Sequence, residues 1–516
     1  MRIFIFFCLF SCVACSQKKA EQGEQQKIRI SLNNEPPSLD PRKARDFVSS
    51  AILPLLFEGL PSLSEAVDLS PDGKTYTFHL RETKWSDGTS VTAEDFASSW
   101  KSVLDPQFPT DLAYQLFLIR NGRAAKMGEV SLDAVGVKVQ DSSTLVVELE
   151  QPIPYFFELL ENPPFLPVST KVSLKCPDWA KEAEHFVSNG PFQMQEWSHA
   201  NQLIFVKNPH YSKYDDIQLE EVDFIIANAD TALRMFEEKK LDWVGSPLGT
   251  LPIDAIAHLK QENQLQTDPF LGTAFLRLNT TKAPLTSTAL RKALSLSLDR
   301  SAITEHILQG GQKTATHLVP PEMGLNLHQN NLKQEDVSRL LALAKEELGG
   351  TIAPVIISYA QDERRAAIVQ AIQNQWKEKL HLDVEMEAIE SKTYFQKLSK
   401  GELQVALGSW TADFNDPINF LEVFKYKENG TNNTGWENEQ YVDLLNRSAL
   451  CKDQEERNQL LREAECLLME EMPLIPLYHL TLNYLKREDL QGVALSPMGH
   501  LDLREAKLDH PSLSKR

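Results

Sequence analysis

Leu403-Gln404-Val405-Ala406-Leu407-Gly408-Ser409-Trp410-Thr411-Ala412-Asp413-Phe414-Asn415-Asp416-Pro417 changes character halfway along. Leu403, Val405, Ala406 and Leu407 are an apolar run that reads as the end of a buried strand. From Gly408 on, the chain carries an aromatic, a lone acid and then Asn-Asp-Pro. That is a poor recipe for packing and a good one for a rim that grips something small. Polar groups just outside the carboxyl end of a strand are where open α/β sheets bind ligands. In that role Asp413 would hold a ligand's ammonium and Trp410 would cover its body. The same residue types also suit plainer duties, Asp413 capping a loop and Trp410 packing.

Upstream, Ile368, Ile372, Trp376 and Leu380 recur every four positions and mark one face of a helix. Leu382, Val384 and Met386 alternate, as a strand does. Thr393 to Lys400 predicts a second short helix, which Gly401 ends as a C-terminal cap. Helix, strand, helix, strand in this order predicts a mainly parallel sheet with right-handed crossovers. Downstream, Leu460, Leu461, Ala464, Leu467 and Leu468 mark a late helix that Pro473 stops. Near the start, Lys27 to Leu32 alternates as a first strand, and the prolines after Asn33-Asn34 end it. Residues 47–60 predict a short helix, and Asp72-Gly73 turns into a strand from Thr75 to Leu80. Thr92-Ala93-Glu94-Asp95 opens a helix in the manner of a capping box.

At 516 residues the chain is too long for one core. Its 42% apolar and 24% charged content is that of a globular protein. A formal charge of −19 argues against a nucleic-acid partner, which needs basic surface to neutralise phosphates. Met1-Arg2 is a minimal positive region, and Ile3 to Phe10 is an apolar core too short to span a bilayer permanently. Ser11-Cys12-Val13-Ala14-Cys15-Ser16 follows, a cleavage zone that resembles a bacterial lipobox. Lipidation is expected at Cys15, with Cys12 as the competing site and a plain signal peptide as the alternative. Residues 1–14 are then a lipoprotein signal peptide and 15–26 a polar, flexible tether. Cys176, Cys451 and Cys466 remain, an odd count that gives neither a disulfide framework nor a zinc site. Cys451 and Cys466 are expected to be two buried free thiols.

Several stretches occur in a fixed order: Glu35-Pro36-Pro37-Ser38-Leu39-Asp40-Pro41, Phe57-Glu58-Gly59-Leu60, Ser70 through Phe78, Trp85-Ser86-Asp87-Gly88 and Asn189-Gly190-Pro191-Phe192. Leu290 through Arg300, Gly310-Gly311, Val319-Pro320-Pro321, Trp410 to Pro417 and Ala464 through Tyr478 continue the series. Together they resemble the dipeptide/oligopeptide class of extracellular solute-binding proteins, which feed ABC importers. The resemblance covers nearly all the mature chain. It implies an α/β, two-lobed clamp of the periplasmic-binding-protein kind (type II, cluster C) with an extra inserted subdomain. Residues 27–52, 188–272 and 478–510 would form a discontinuous first lobe, with 53–187 inserted into it. Residues 273–477 would form the second lobe, the chain crossing near Gly272 and Leu477. Hinged lobes of this kind close over their ligand.

The resemblance also implies a short peptide ligand, lying extended, whose ammonium is taken by the acid of a Trp-x-Ala-Asp motif, here Asp413. Trp410 would lie against the ligand, with Thr411 and Ala412 beside it, and Phe275, Asn33 and Asn34 are further expected contacts. Relatives often carry two aromatics where this chain has Ala274 and Phe275, so one stacking surface is missing. Several carry arginines for the peptide's carboxylate at positions that correspond to Leu398 and Leu407. Lys397, Lys400, His306 and Arg45 are the substitutes to weigh against plain surface charge. Murein-peptide-binding relatives lack one of those arginines too, so a cell-wall peptide is a second expectation. The implied partner is an inner-membrane ABC permease, and the expected setting is the periplasm or cell envelope, as a lipid-anchored monomer. No cofactor or metal is expected, since the histidines lack metal spacing and no serine sits in a nucleophile elbow. A peptidase is a formal alternative. Other cargo on the same fold, such as nickel, haem or a sugar, and a surface protein without a transport role, are further ones.

Overall fold

The computed structural model describes residues 26–325 and 337–509. The signal segment, Cys15 and all of the tether but residue 26 lie outside them. The architecture is mixed α/β. One sheet runs in the order Val384–Ile389, Val355–Ala360, Val405–Thr411, Gln266–Leu278, Leu474–Lys486, Trp243–Gly245, Lys27–Leu32, Glu221–Ile226, Gln202–Lys207, Phe192–Ser198. The short strand Lys313–Thr314 adds to Leu474–Lys486. A separate four-stranded sheet holds Ser64–Leu69, Thr75–Leu80, Thr144–Glu148 and Val137–Asp141.

The expected parallel pairing is present in two parts of the sheet only, and the terminal strands Gln202–Lys207 and Phe192–Ser198 are antiparallel. Val384–Ile389, Val355–Ala360 and Val405–Thr411 are parallel, and so are Lys27–Leu32, Glu221–Ile226 and Trp243–Gly245. The centre is antiparallel, because two 13-residue strands, Gln266–Leu278 and Leu474–Lys486, run through it side by side. The first part of one, Gln266 to Pro269, pairs with Thr481 to Tyr484. Its last part, Thr273 to Arg277, pairs with Leu474 to His479, and the register is irregular between Pro269 and Thr273. Gly272 sits in that break, where a Cβ would come within 2.6 Å of Leu480 Cδ1.

Local signals set most elements. Helix Glu363–Leu380 buries Ile368, Ile372, Trp376 and Leu380, with Asp362 capping its start. Helix Ser391–Ser399 ends at Lys400, and Gly401 takes a positive φ of 64°. Thr92 and Asp95 form the expected capping box of helix Ala93–Leu104. Helix Gln454–Glu471 stops just before Met472-Pro473. Of the three described cysteines, Cys466 is exposed and Cys451 half-buried, so the expected pair of buried thiols is absent.

Two apolar cores flank the crossing strands. One gathers Leu276, Leu278, Ile357, Ile368, Trp376, Leu407 and Leu477. The other joins Ile28, Phe78, Trp100 and Phe224 to Phe414, Phe424, Tyr441 and Leu461. It stays continuous partly because Tyr155 stacks on Phe414, with ring centroids 4.8 Å apart and planes 7° from parallel. No helix of the described residues is long and apolar enough to cross a membrane.

Candidate functional site

The strand that opened the sequence reading is longer than expected. It runs Val405–Thr411, past Leu407, because Gly272 through Leu278 pairs with it residue for residue. On its other side Val355–Ala360 pairs with it only at Val405 and Ala406. That neighbour then turns away: Gln361 N–H donates to Ile389 O at 2.7 Å, and Asp362 caps the next helix. Tyr394 Oη donates to Leu407 O at 2.7 Å. Beyond Leu407, from Gly408 to Thr411, the strand has no second strand partner among the described residues.

A cavity of about 1290 Å³ borders this free edge. Leu407 to Trp410, Asp362 to Arg365, Tyr394, Leu398 and Arg277 line one side of it. Ala229, Asp230 and Thr250 to Asp254 line the other. The room exceeds that of a usual small-molecule pocket, about 300–1,000 Å³.

Asn419 organises the rim. Its Oδ1 accepts from Trp410 Nε1 at 3.0 Å and from the Asp413 backbone N–H at 3.1 Å. Trp410 is half-buried and lines the cavity. Asp413 stands just past the lining, its side chain open to solvent at the tip. The surrounding protein still desolvates its carboxylate and raises its pKa, against a hydrogen bond from Asn419. No cation among the described residues offsets that desolvation. Tyr114 lies close enough for its phenol pKa to be raised by the Asp413 charge as well as by burial.

The other expected contacts divide. Thr411 is exposed and pairs with Gly272, and Ala412 N–H donates to Leu271 O at 2.8 Å. Phe275 is fully buried, edge-on to Phe424, and does not line the cavity. Asn33 Nδ2 donates to Thr250 Oγ1 at 2.8 Å, so it backs a lining residue, while Asn34 is simply exposed. Asp416 is committed to structure: both its oxygens accept from Arg457.

None of the substitutes for carboxylate recognition lines the cavity. Lys397 pairs with Glu387 at 3.2 Å, Arg45 pairs with Asp111 on the surface, and Lys400 and His306 are exposed. Leu398 and Leu407 do line it, as does a cation that sequence reasoning missed, Arg277. Its signal was available: a lone arginine inside the apolar run Ala274-Phe275-Leu276-Arg277-Leu278 is seldom buried without a reason. No group of three or more metal-binding side chains occurs among the described residues.

A cavity between the free edge of Val405–Thr411 and residues 229–230 and 250–254, on a mixed sheet, fits a solute-binding clamp. The chain belongs to the bacterial extracellular solute-binding proteins, family 5, whose middle-region model matches residues 58–432. It is 38% identical over 511 residues to the oligopeptide-binding protein OppA of Bacillus subtilis, covering 95% of this chain and 94% of that one. Among solved structures, the murein tripeptide-binding periplasmic protein MppA in its unliganded open form gives a TM-score of 0.80 at 28% identity, covering 94% of this chain and 98% of that one. Haemophilus influenzae OppA in complex with RPPGFSPFR gives 0.75 at 28% identity, over 94% and 99% of the two chains. The fold is thus the type II periplasmic-binding-protein fold expected from the ordered motifs.

Proposed function

We propose that this chain is the capture component of an ABC importer and that its cargo is a short peptide held extended in the cavity. The observation that carries this reading is the free strand edge from Gly408 to Thr411, which borders the cavity and ends two residues before an acid with no cationic partner among the described residues. A peptide added to that edge pairs through its main chain, which gives affinity without demanding a sequence. Its ammonium meets Asp413, and Trp410 covers its body. Thr411 and Ala412 continue the edge, Asn33 supports the opposite wall through Thr250, and Phe275 packs beside Arg277 at the floor. The lobes are 27–52 with 188–272 and 478–510, carrying 53–187, and 273–477 opposite. They move about the irregular register of the two long strands. The closed form docks on a membrane permease, and a monomer anchored through Cys15 in the cell envelope suits that task.

Native mass spectrometry of protein purified from its source tests the reading. Copurified peptides with free N-termini are expected. Protein that carries no peptide and takes none from a mixed peptide pool overturns it.

A further inference from the structure

We propose that Arg277 is the residue that holds the ligand's carboxylate, its guanidinium lying over Gly408 on the floor of the cavity. This rests on the peptide reading above and adds a residue and a ligand group to it.

Four arginines are buried among the described residues, and three of them pair with a carboxylate or with backbone carbonyls. Arg42 pairs with Asp40 at 2.8 Å, and Arg457 with Asp416 at 2.8 Å. Arg291 donates to the carbonyls of Leu285, Glu471 and Met472. Arg277 is the exception. It is only 7% exposed, its Nε is buried without an acceptor, and no carboxylate pairs with it among the described residues. Its one close neighbour of note is the Phe275 ring, 4.6 Å from the guanidinium carbon. A buried charge without a counter-ion is costly, so its retention calls for an anion supplied from elsewhere. Burial lowers its pKa to about 10, which leaves it charged at neutral pH.

The position fits a ligand running along the free edge. Phe275 pairs with Gly408 and Arg277 with Ala406, so Arg277, Gly408 and Trp410 share one face of the sheet. A Cβ built on Gly408 would come within 2.5 Å of Arg277 Nη1. Only glycine leaves the guanidinium where it lies. From Gly408 to Thr411 the strand rises about 10 Å, and two more residues to Asp413 bring the limit to about 17 Å. A peptide of three to five residues spans that distance at about 3.3–3.6 Å per residue. Its carboxylate is then either the C-terminus of such a peptide or an acidic side chain of a longer one.

Calorimetric titration of the purified mature chain separates the possibilities. The probes are tetra-alanine as free acid, tetra-alanine as C-terminal amide, and an amidated Ala-Ala-Glu-Ala. Wild type is expected to bind at least one carboxylate-bearing probe roughly 100-fold more tightly than the tetra-alanine amide. Preference for the free acid identifies the terminus, and preference for the glutamate peptide identifies the side chain. R277M is expected to abolish that preference. It is also expected to melt at a higher temperature than wild type in the absence of ligand, since an uncompensated buried charge has gone. G408A keeps the arginine but displaces it, and is expected to erode the same preference, so the test survives if R277M misfolds. D413N, by contrast, lowers binding of all three probes alike. If R277M and G408A both retain the wild-type preference, or wild type binds acid and amide equally, Arg277 is not the carboxylate residue although peptide binding stands. If no probe and no peptide pool binds wild type, the peptide reading falls and this assignment with it.

Discussion

Arg457 donates from Nη1 and Nη2 to the two oxygens of Asp416, each at 2.8 Å, across 41 residues of sequence. Asp416 Oδ1 also accepts from Ile418 N–H at 2.9 Å, so the pair fixes the turn that follows Asp413. Arg457 is 2% exposed and lies 6.0 Å from the centre of the Tyr155 ring, which itself stacks on Phe414. Breaking one side of such a pair leaves the other charge buried alone. R457M is therefore expected to lower stability by about 3–5 kcal/mol, read by urea denaturation. A loss below 1 kcal/mol would show that the pair does not hold the rim.

The second expectation concerns Asp413. If it meets the cargo's ammonium, D413N weakens binding of a free-amine peptide by about 2–5 kcal/mol, while unfolding changes little. The raised pKa of the carboxylate gives the pH dependence its sign. Only the ionised form attracts an ammonium, so affinity falls as pH drops through a value above the ordinary aspartate range. D413N removes that part of the profile. Calorimetry across pH reads both effects, and identical profiles for the two proteins would sink the assignment.

Glu465 yields a third. It lies on the same helix as Arg457, is fully buried, and accepts from Leu318 N–H at 2.6 Å and Val319 N–H at 2.9 Å. Burial pushes its pKa up to about 8 against those two bonds. The folded chain thus keeps a proton that the unfolded chain gives up from the ordinary glutamate range upward. The stability that proton contributes is whole below that range and is lost as pH rises to about 8. E465Q keeps an acceptor for both N–H groups and carries no charge. Relative to E465Q, wild type is expected to lose stability, on the order of a few kcal/mol, between the ordinary glutamate range and the raised value. Melting temperatures of the two proteins that run parallel with pH would refute it.

Asn189 and Gly190 supply the fourth. Asn189 Oδ1 accepts from Glu58 N–H at 3.1 Å, and its Nδ2 donates to Glu58 O at 3.0 Å. The chain passes so close that a Cβ on Gly190 would stand 2.6 Å from Leu56 C and 2.7 Å from Phe57 N. Backbone cannot rotate aside as a side chain can. G190A is expected to cost about 1–3 kcal/mol, measured by denaturant unfolding, and an unchanged midpoint would contradict the packing.

What the sequence made legible was local. The four-residue spacing from Ile368 to Leu380, the capping box at Thr92 and the glycine at 401 each carry their own instruction, and each element formed where expected. The far end of Val405–Thr411 carries none, since only its antiparallel neighbour keeps Ser409 to Thr411 extended. The parallel expectation failed at the sheet centre for the same reason: two segments some 200 residues apart pair there. Trp410 was expected past the strand's end and lies inside the strand, lining the cavity, while Asp413 stands just outside that lining. Asn419, Arg457 and Arg277 were not singled out, because their duties depend on what faces them. Arg277 stands out as a lone charge in an apolar run, but its duty shows only once no carboxylate is found against it among the described residues.

The strand proposed to take the cargo lies one ladder spacing, about 4.8 Å, from the long strand that carries the irregular register at Pro269 to Thr273. Thr411, at the end of the free edge, is bonded in register to Gly272 inside that irregularity. Occupant and pivot therefore share a rail. Whatever stiffens one side of that rail changes how easily the other side flexes, so the molecule needs no distant relay to sense that it is loaded.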